Sequence, residues 1–196
     1  KETGIKPTPS IGGVGLIKNY KKMVTMDFKQ ADNLIIVIGK TEGHIDQSLF
    51  ARTILDEKNG PPPEVNLFNE KNNGNSLLSL IEKNYVVSAH DVSLGGILTA
   101  VSKMCIKGNK GIKIEKTKNL VNDIEYFFGE DQGRYIVEIS QKDFKEVTKI
   151  LDKNSVHHEK IGVIIDNDVI INKETKVTID ELKTYYSNWL NRYMSS

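Results

Sequence analysis

The chain has 196 residues, enough to bury a core without disulfide or metal staples. Charged residues make up 27% and hydrophobic residues 38%, and 27 basic residues face 26 acidic ones for a formal charge of +1. That balance excludes a global field drawing the protein to nucleic acid or to an anionic membrane surface. The single cysteine, Cys105, rules out an intramolecular disulfide and fits a reducing, cytoplasmic setting. No apolar run approaches the ~20 residues of a membrane-spanning helix.

In chain order, residues 1–10 hold two of the five prolines and are expected to be extended. Opening at Lys1 rather than Met, they read as part of a longer polypeptide. Ile11–Ile17 alternates apolar residues with glycine, as a strand does under close backbone approach. Residues 18–32 are polar loop. Asn33–Gly39, NLIIVIG, is a continuous apolar run and predicts a buried strand. A glycine-containing loop over residues 40–47 includes His44, and Ser48–Lys58 has helical spacing. Gly60-Pro61-Pro62-Pro63 breaks regular structure.

Ser76–Lys83 predicts a helix with Leu77, Leu80 and Ile81 inward, and Tyr85–Ala89 a strand. A second helix runs to about Ile106 and places Cys105 with Ile97, Leu98, Val101 and Met104, a core position rather than a nucleophile. Gly111–Lys116 and Arg134–Ser140 predict strands, and Asn122–Phe128 a short helix. Phe144, Val147, Ile150 and Leu151 share one helical face. Ile161–Ile165 and Val169–Ile171 are expected to form a hairpin turned at Asp166-Asn167. Thr178 and Glu181 have capping-box spacing before a helix with an aromatic stripe of Tyr185, Tyr186, Trp189 and Tyr193. Such a stripe belongs to a core or a domain interface. Strands alternating with helices predict an α/β (α+β) domain with a mixed, helix-covered sheet.

Two segments carry candidate chemistry. In Ser88-Ala89-His90-Asp91-Val92-Ser93-Leu94-Gly95-Gly96, a strand ends in an acid, a hydroxyl and paired glycines before a helix. Ligands bind at such turns in open α/β sheets, and a helix N-terminus favours phosphate. Asp91 is the candidate Mg²⁺ ligand, with Ser93, Gly95 and Gly96 around a nucleotide. The same residues admit a plainer reading, in which Asp91 or Ser93 caps the helix and the glycines make a tight turn. In Phe128-Gly129-Glu130-Asp131-Gln132-Gly133-Arg134, Glu130, Asp131 and Gln132 are candidates for a metal or a polar substrate, against a solvated turn as the alternative. Pro7-Thr8-Pro9-Ser10-Ile11-Gly12-Gly13 lacks the dinucleotide fingerprint and reads as a connector. His44, His90, His157 and His158 lack metal-ligand spacing.

The ordered set PTPSIGGVGLI, GPPPEVNL, SAHDVSLGGI, FFGEDQGRYIVEI, IGVII and TIDELKTYYSNWL resembles the C-terminal synthetase-type domain of the formylglycinamidine ribonucleotide synthases. These enzymes, the phosphoribosylformylglycinamidine synthases, are related to the aminoimidazole ribonucleotide synthetases. The glycine-rich HDVSLGG segment alone is similar in aminoimidazole ribonucleotide synthetase, selenophosphate synthetase and thiamine monophosphate kinase. The resemblance implies an ATP- and Mg²⁺-dependent purine-biosynthesis ligase, acting on formylglycinamide ribonucleotide with ammonia from a glutaminase partner. It implies a connector and tail of a preceding N-type domain over residues 1–32, and the C-terminal domain over residues 33–196. It also implies that the remaining domains of the polypeptide hold most of the nucleotide site, so that this chain is inactive alone. The alternatives are a non-catalytic domain closing an auxiliary nucleotide site, or a domain of one of those sister enzymes. Leu94 departs from the acidic residue common there in the family.

Overall fold

The computed structural model describes residues 9–117 and 121–195. The expected extension of residues 1–8, with Pro7 and Thr8, and the surface reading of Lys118 lie outside them.

Seven strands form one mixed sheet in the order β2-β4-β1-β5-β3-β6-β7. They are β1 (Leu34–Ile38), β2 (Val86–Val92), β3 (Gly111–Ile114), β4 (Arg134–Ile139), β5 (His158–Ile165), β6 (Val169–Ile171) and β7 (Thr175–Val177). All neighbours are antiparallel except β3 and β6, which run parallel. The helices are α1 (Leu49–Thr53), α2 (Leu67–Glu82), α3 (Gly96–Gly108), α4 (Asp123–Phe128), α5 (Phe144–Lys153) and α6 (Ile179–Ser195).

The centre of the sheet explains the unbroken apolar run in β1. Ile35 and Val37 face a core shared with Ile97, Val101, Met104 and Tyr126 on α3 and α4. Leu34, Ile36 and Ile38 face the opposite core, with Leu77 and Leu80 of α2 and Val147 and Leu151 of α5. A strand covered on both faces has no polar side, so alternation vanishes. Cys105 lies in the first core, where burial pushes its thiol up to about 12 and leaves it chemically inert.

Within β4, Glu138 is fully buried. Its carboxylate accepts from the Lys29 and Gln30 backbone N–H groups, Asn33 Nδ2 and Ser88 Oγ at 2.7–3.1 Å. Four donors satisfy a group whose burial would otherwise be prohibitive. They stitch residues 29–33 to the sheet, and Phe28 enters the core beside them. Just upstream, Thr25 pairs with Ser88 along the outer edge of β2, and its carbonyl accepts from Ala89 N.

The structure corrects several sequence expectations. Residues 11–17 form no strand: they have no ladder partner, and Ile11, Val14 and Leu16 are almost wholly exposed. The helix expected over 48–58 lasts only through Leu49–Thr53, capped by Ser48. The helix expected from Ser76 begins nine residues earlier, at Leu67, because Asn66 caps it and its asparagines and glycine remain helical in tertiary context. Strand β2 continues through Val92, so Asp91 is a strand residue and not a loop residue.

The expected β5–β6 hairpin does not form, because β3 lies between the two strands. The loop after β5 instead passes over the start of β3, where Ile112 N donates to Asp168 O at 2.9 Å. A Cβ on Gly111 would stand 2.1 Å from that same carbonyl oxygen, so the crossing needs glycine. Strand β6 pairs with β7 in a hairpin instead. The capping box at Thr178 and Glu181 forms as expected, with Glu181 N donating to Thr178 Oγ1 at 3.1 Å. On α6, Leu182 touches the core, while Tyr185, Tyr186, Trp189 and Tyr193 remain exposed.

Candidate functional site

The turn after β2 is shaped by close approach. Gly95 and Gly96 both have positive φ. A Cβ on Gly96 would lie 2.7 Å from Phe127 O and 2.8 Å from Gly129 O, so only glycine lets α3 start against the 127–129 backbone. No side chain caps α3 from its N-cap position. The helix terminus is satisfied from across the fold: Gly95 N donates to Glu130 Oε1 at 2.8 Å. The same oxygen accepts from Leu49 N at 2.7 Å, at the start of α1. A carboxylate at a helix N-terminus is favoured by the unpaired N–H groups and the dipole. Gly96 N is taken by Ser93 O at 3.0 Å. The donors expected to face a phosphate at Gly95 and Gly96 are therefore already engaged.

Asp131 has a different duty. It is buried, and its two oxygens accept from the backbone N–H groups of Glu42, Gly43 and His44 at 3.0–3.1 Å. Arg134, also buried, places Nη1 3.4 Å from Asp131 Oδ2. The guanidinium donates further to Gly129 O, Thr41 Oγ1 and Asp131 O. Burial pulls the Arg134 pKa down, and the Asp131 charge opposes that pull. Glu130, Asp131 and Arg134 thus hold the loop of residues 40–47 against the loop after α4.

The outer surface of this junction is a polar cleft of about 520 Å³. Lys40, His44, Asn69, Asn73, Asp131 and Gln132 are among its lining residues. Gln132 is exposed there and is the member of its motif available to a ligand. His44 Nε2 lies 3.0 Å from Pro61 O, which ties the proline segment to the cleft wall. Asn69 and Asn73 come from the first half of α2, which periodicity missed. Their signal was the Asn66 cap followed by a run of short polar residues that still propagates a helix.

Asp91 stands apart from the cleft. Its side chain is 61% exposed, and Oδ1 is 2.9 Å from His90 Nδ1. Burial raises its pKa, but hydrogen bonds from His90 and Ser93 outweigh that and hold it below the ordinary value. An acceptor-only carboxylate of this kind fits the hard-oxygen preference of Mg²⁺ as a single ligand. Among the described residues, no three His, Cys, Asp or Glu side chains group to hold a metal. The structure thus brings Glu130 to Gly95 and Gly96, places Asp131 and Gln132 on the cleft, and leaves Asp91 with Ser93 and His90.

Comparison with known proteins places this arrangement. Residues 30–172 match the family model "AIR synthase related protein, C-terminal domain". The chain is 63% identical over all 196 residues to phosphoribosylformylglycinamidine synthase subunit PurL of Pelagibacter ubique, covering 27% of that protein. It is 36% identical over 190 residues to the same subunit of Bartonella henselae, covering 97% of this chain and 26% of that one. The chain therefore spans about a quarter of the length of the curated relatives it matches. Among solved structures, Thermotoga maritima PurL complexed with FGAR superposes with a TM-score of 0.69 at 20% identity, over 83% of this chain and 30% of that one. Escherichia coli HypE, a hydrogenase maturation protein, gives 0.57 at 15% identity, over 80% and 52%. These two likenesses establish the fold alone. With the family model covering most of its length, this chain belongs to the AIR synthase related proteins, as a member carrying their C-terminal domain.

Proposed function

We propose that the chain is the C-terminal part of a PurL-type phosphoribosylformylglycinamidine synthase. This ligase would convert formylglycinamide ribonucleotide, ATP and glutamine-derived ammonia to formylglycinamidine ribonucleotide. The observation that carries the reading is the 63% identity to a PurL subunit along the whole chain. Residues 33–196 form the synthetase-type domain and residues 1–32 the connector and tail of a preceding unit, the last of which are bound into this domain through Thr25, Phe28, Lys29 and Gln30. The exposed apolar residues of 11–17 support that division, since a strand pattern with no partner here suits a sheet elsewhere in the polypeptide. The remaining domains and a glutaminase partner complete the enzyme in the cytoplasm. No helix among the described residues is long and apolar enough to cross a membrane.

The residues divide the work. Glu130, Asp131 and Arg134 act as scaffold, because their polar atoms are committed to backbone groups of neighbouring loops. Gln132 presents its amide to the cleft, where it would bind and orient a polar ligand, beside Lys40 and His44, whose Nζ and Nε2 are engaged by Glu42 and Pro61 O. Asp91 would contribute one carboxylate to Mg²⁺, which offsets phosphate charge when bound; the other ligands would come from the nucleotide, water and other domains.

The test uses the full polypeptide that contains this chain. It should form formylglycinamidine ribonucleotide from formylglycinamide ribonucleotide, ATP and ammonia, and inactivity on that substrate overturns the proposal. The 196-residue chain alone should show no turnover, because one domain cannot hold all reactants. Asp91→Asn in the full polypeptide should melt like wild type without ligand but lose the Mg²⁺-nucleotide stabilisation that binding linkage requires. A retained shift removes Asp91 from the metal.

A further inference from the structure

On the face of the sheet opposite α2, a second cavity of about 270 Å³ lies between the edge strand β2, α3 and α6. It is lined by Met26, His90, Lys103, Ile106, Lys107 and Tyr186. Its volume falls below the ~300–1,000 Å³ of drug-sized sites, which limits an occupant to a small molecule. None of the residues assigned to the polar cleft lines it.

Two independent features make this cavity unusual. His90 Nε2 is buried and has no hydrogen-bond partner among the described residues. Buried ring nitrogens are normally satisfied, so an orphan requires an explanation. The Asp91 carboxylate accepts only, so Nδ1 carries the hydrogen at the 2.9 Å contact. Nε2 is then the ring atom left without a partner, and an alcohol hydroxyl can pair with it whether or not it bears hydrogen.

The second feature is charge. Lys103 and Lys107 stand at i and i+4 on α3, so their amines share one face of the helix. Neither makes an ion pair or hydrogen bond among the described residues. Two like charges at this spacing oppose helix formation, and neither is offset by a neighbouring acid. The Tyr186 hydroxyl is likewise without a partner there. Lys103, Lys107, the unpartnered His90 nitrogen and the Tyr186 ring thus belong to one cavity.

We propose that this cavity binds a small phosphate monoester carrying a free hydroxyl. The phosphate dianion would neutralise Lys103 and Lys107 together, which a single carboxylate cannot do. The hydroxyl would pair with His90 Nε2 and satisfy the orphan, while Met26, Ile106 and Tyr186 cover the carbon skeleton. The site adjoins Asp91, which holds the His90 ring, but its test measures binding to this cavity and does not depend on synthase turnover.

The experiment is a titration of the 196-residue chain followed by NMR, with sn-glycerol 3-phosphate as the probe. Saturable binding with Kd at or below ~1 mM is expected, with shifts centred on the His90 ring and the Ile106 methyl groups. Methyl phosphate, inorganic phosphate and glycerol should each bind at least about tenfold more weakly, because methyl phosphate and glycerol each lack one recognised group and inorganic phosphate has no hydroxyl set apart from its phosphorus. Lys103→Met with Lys107→Met should abolish saturation, and His90→Phe should reduce binding to the level of methyl phosphate. Thermal melting verifies that each variant folds. For a variant that does not fold, the location of the wild-type shifts decides. No saturation by 10 mM, shifts centred elsewhere, equal binding of methyl or inorganic phosphate, or unchanged binding in the folded double-lysine variant would each overturn the proposal.

Discussion

Two glycine-containing segments of this chain each carry acids that look like candidate ligands in sequence, Asp91 before Gly95-Gly96 and Glu130-Asp131 between Gly129 and Gly133. In the first, Asp91 ends on an exposed strand position, bonded to its immediate neighbours. In the second, Glu130 and Asp131 reach across the fold and accept five backbone N–H bonds between them. Composition does not separate the two. Partner distance does: Asp131 binds residues 87 to 89 positions away, whereas Asp91 bonds to residues within two positions. An acid with remote backbone partners holds loops in place, and an acid with local partners remains available.

The sharpest way to break this contrast is Asp131→Ala. It removes three charge-assisted bonds and strands the buried Arg134 guanidinium, so a loss of about 3–5 kcal/mol is expected in urea unfolding. A loss under ~1 kcal/mol would mean that the 40–47 loop does not depend on this carboxylate.

Glu130→Ala is the next step down. Gly95 N and Leu49 N lose their acceptor, but the site is only half-buried and water can replace part of it. The expected cost is about 1–2 kcal/mol by the same measurement, with Glu130→Gln recovering part of it.

Glu159 extends the contrast to pH. Burial raises its pKa, but hydrogen bonds from Thr117, His157 and Tyr126 win and hold it below the ordinary 4.5. A depressed carboxylate contributes stability that is present above 4.5 and lost as pH falls through the lower folded value. Chemical denaturation at a series of pH values should therefore show an acid limb below about pH 4.5, reduced in Glu159→Gln. An unchanged limb would assign the acid sensitivity to other carboxylates.

Asp91→Asn should have the smallest effect on the isolated chain, under ~0.5 kcal/mol in thermal or urea unfolding, since the side chain is exposed and caps no helix. A loss comparable to that of Glu130→Ala would erase the distinction between the two segments.

Local pattern made much of the fold readable. The apolar run of β1, the spacing of α3 and the Thr178 capping box each depend on residues close in sequence, and each formed as expected. The β5–β6 relation was not readable, because the insertion of β3 between them is set by pairing with a strand some fifty positions earlier. The start of α2 was hidden by residues of weak helix propensity that tertiary packing overrides. At the site, the acids themselves were legible as candidates. Their separation into scaffold and available ligand was not, since it depends on which distant N–H groups fold over them.

The pairing of Thr25 along β2 carries a consequence for solution behaviour. A sheet edge with free N–H and C=O groups is a template for recruiting strands from other molecules. Here one edge is the three-residue β7, whose outward Lys176 pairs with Asp168 and keeps charge on the rim. The other is β2, where the Thr25 carbonyl occupies the Ala89 N–H. The Glu138 bonds that hold residues 29–33 also hold that cover in position. A lesion at Glu138 would therefore do more than unsettle the core: by releasing the segment that shields β2, it would free that edge to pair with strands of other molecules.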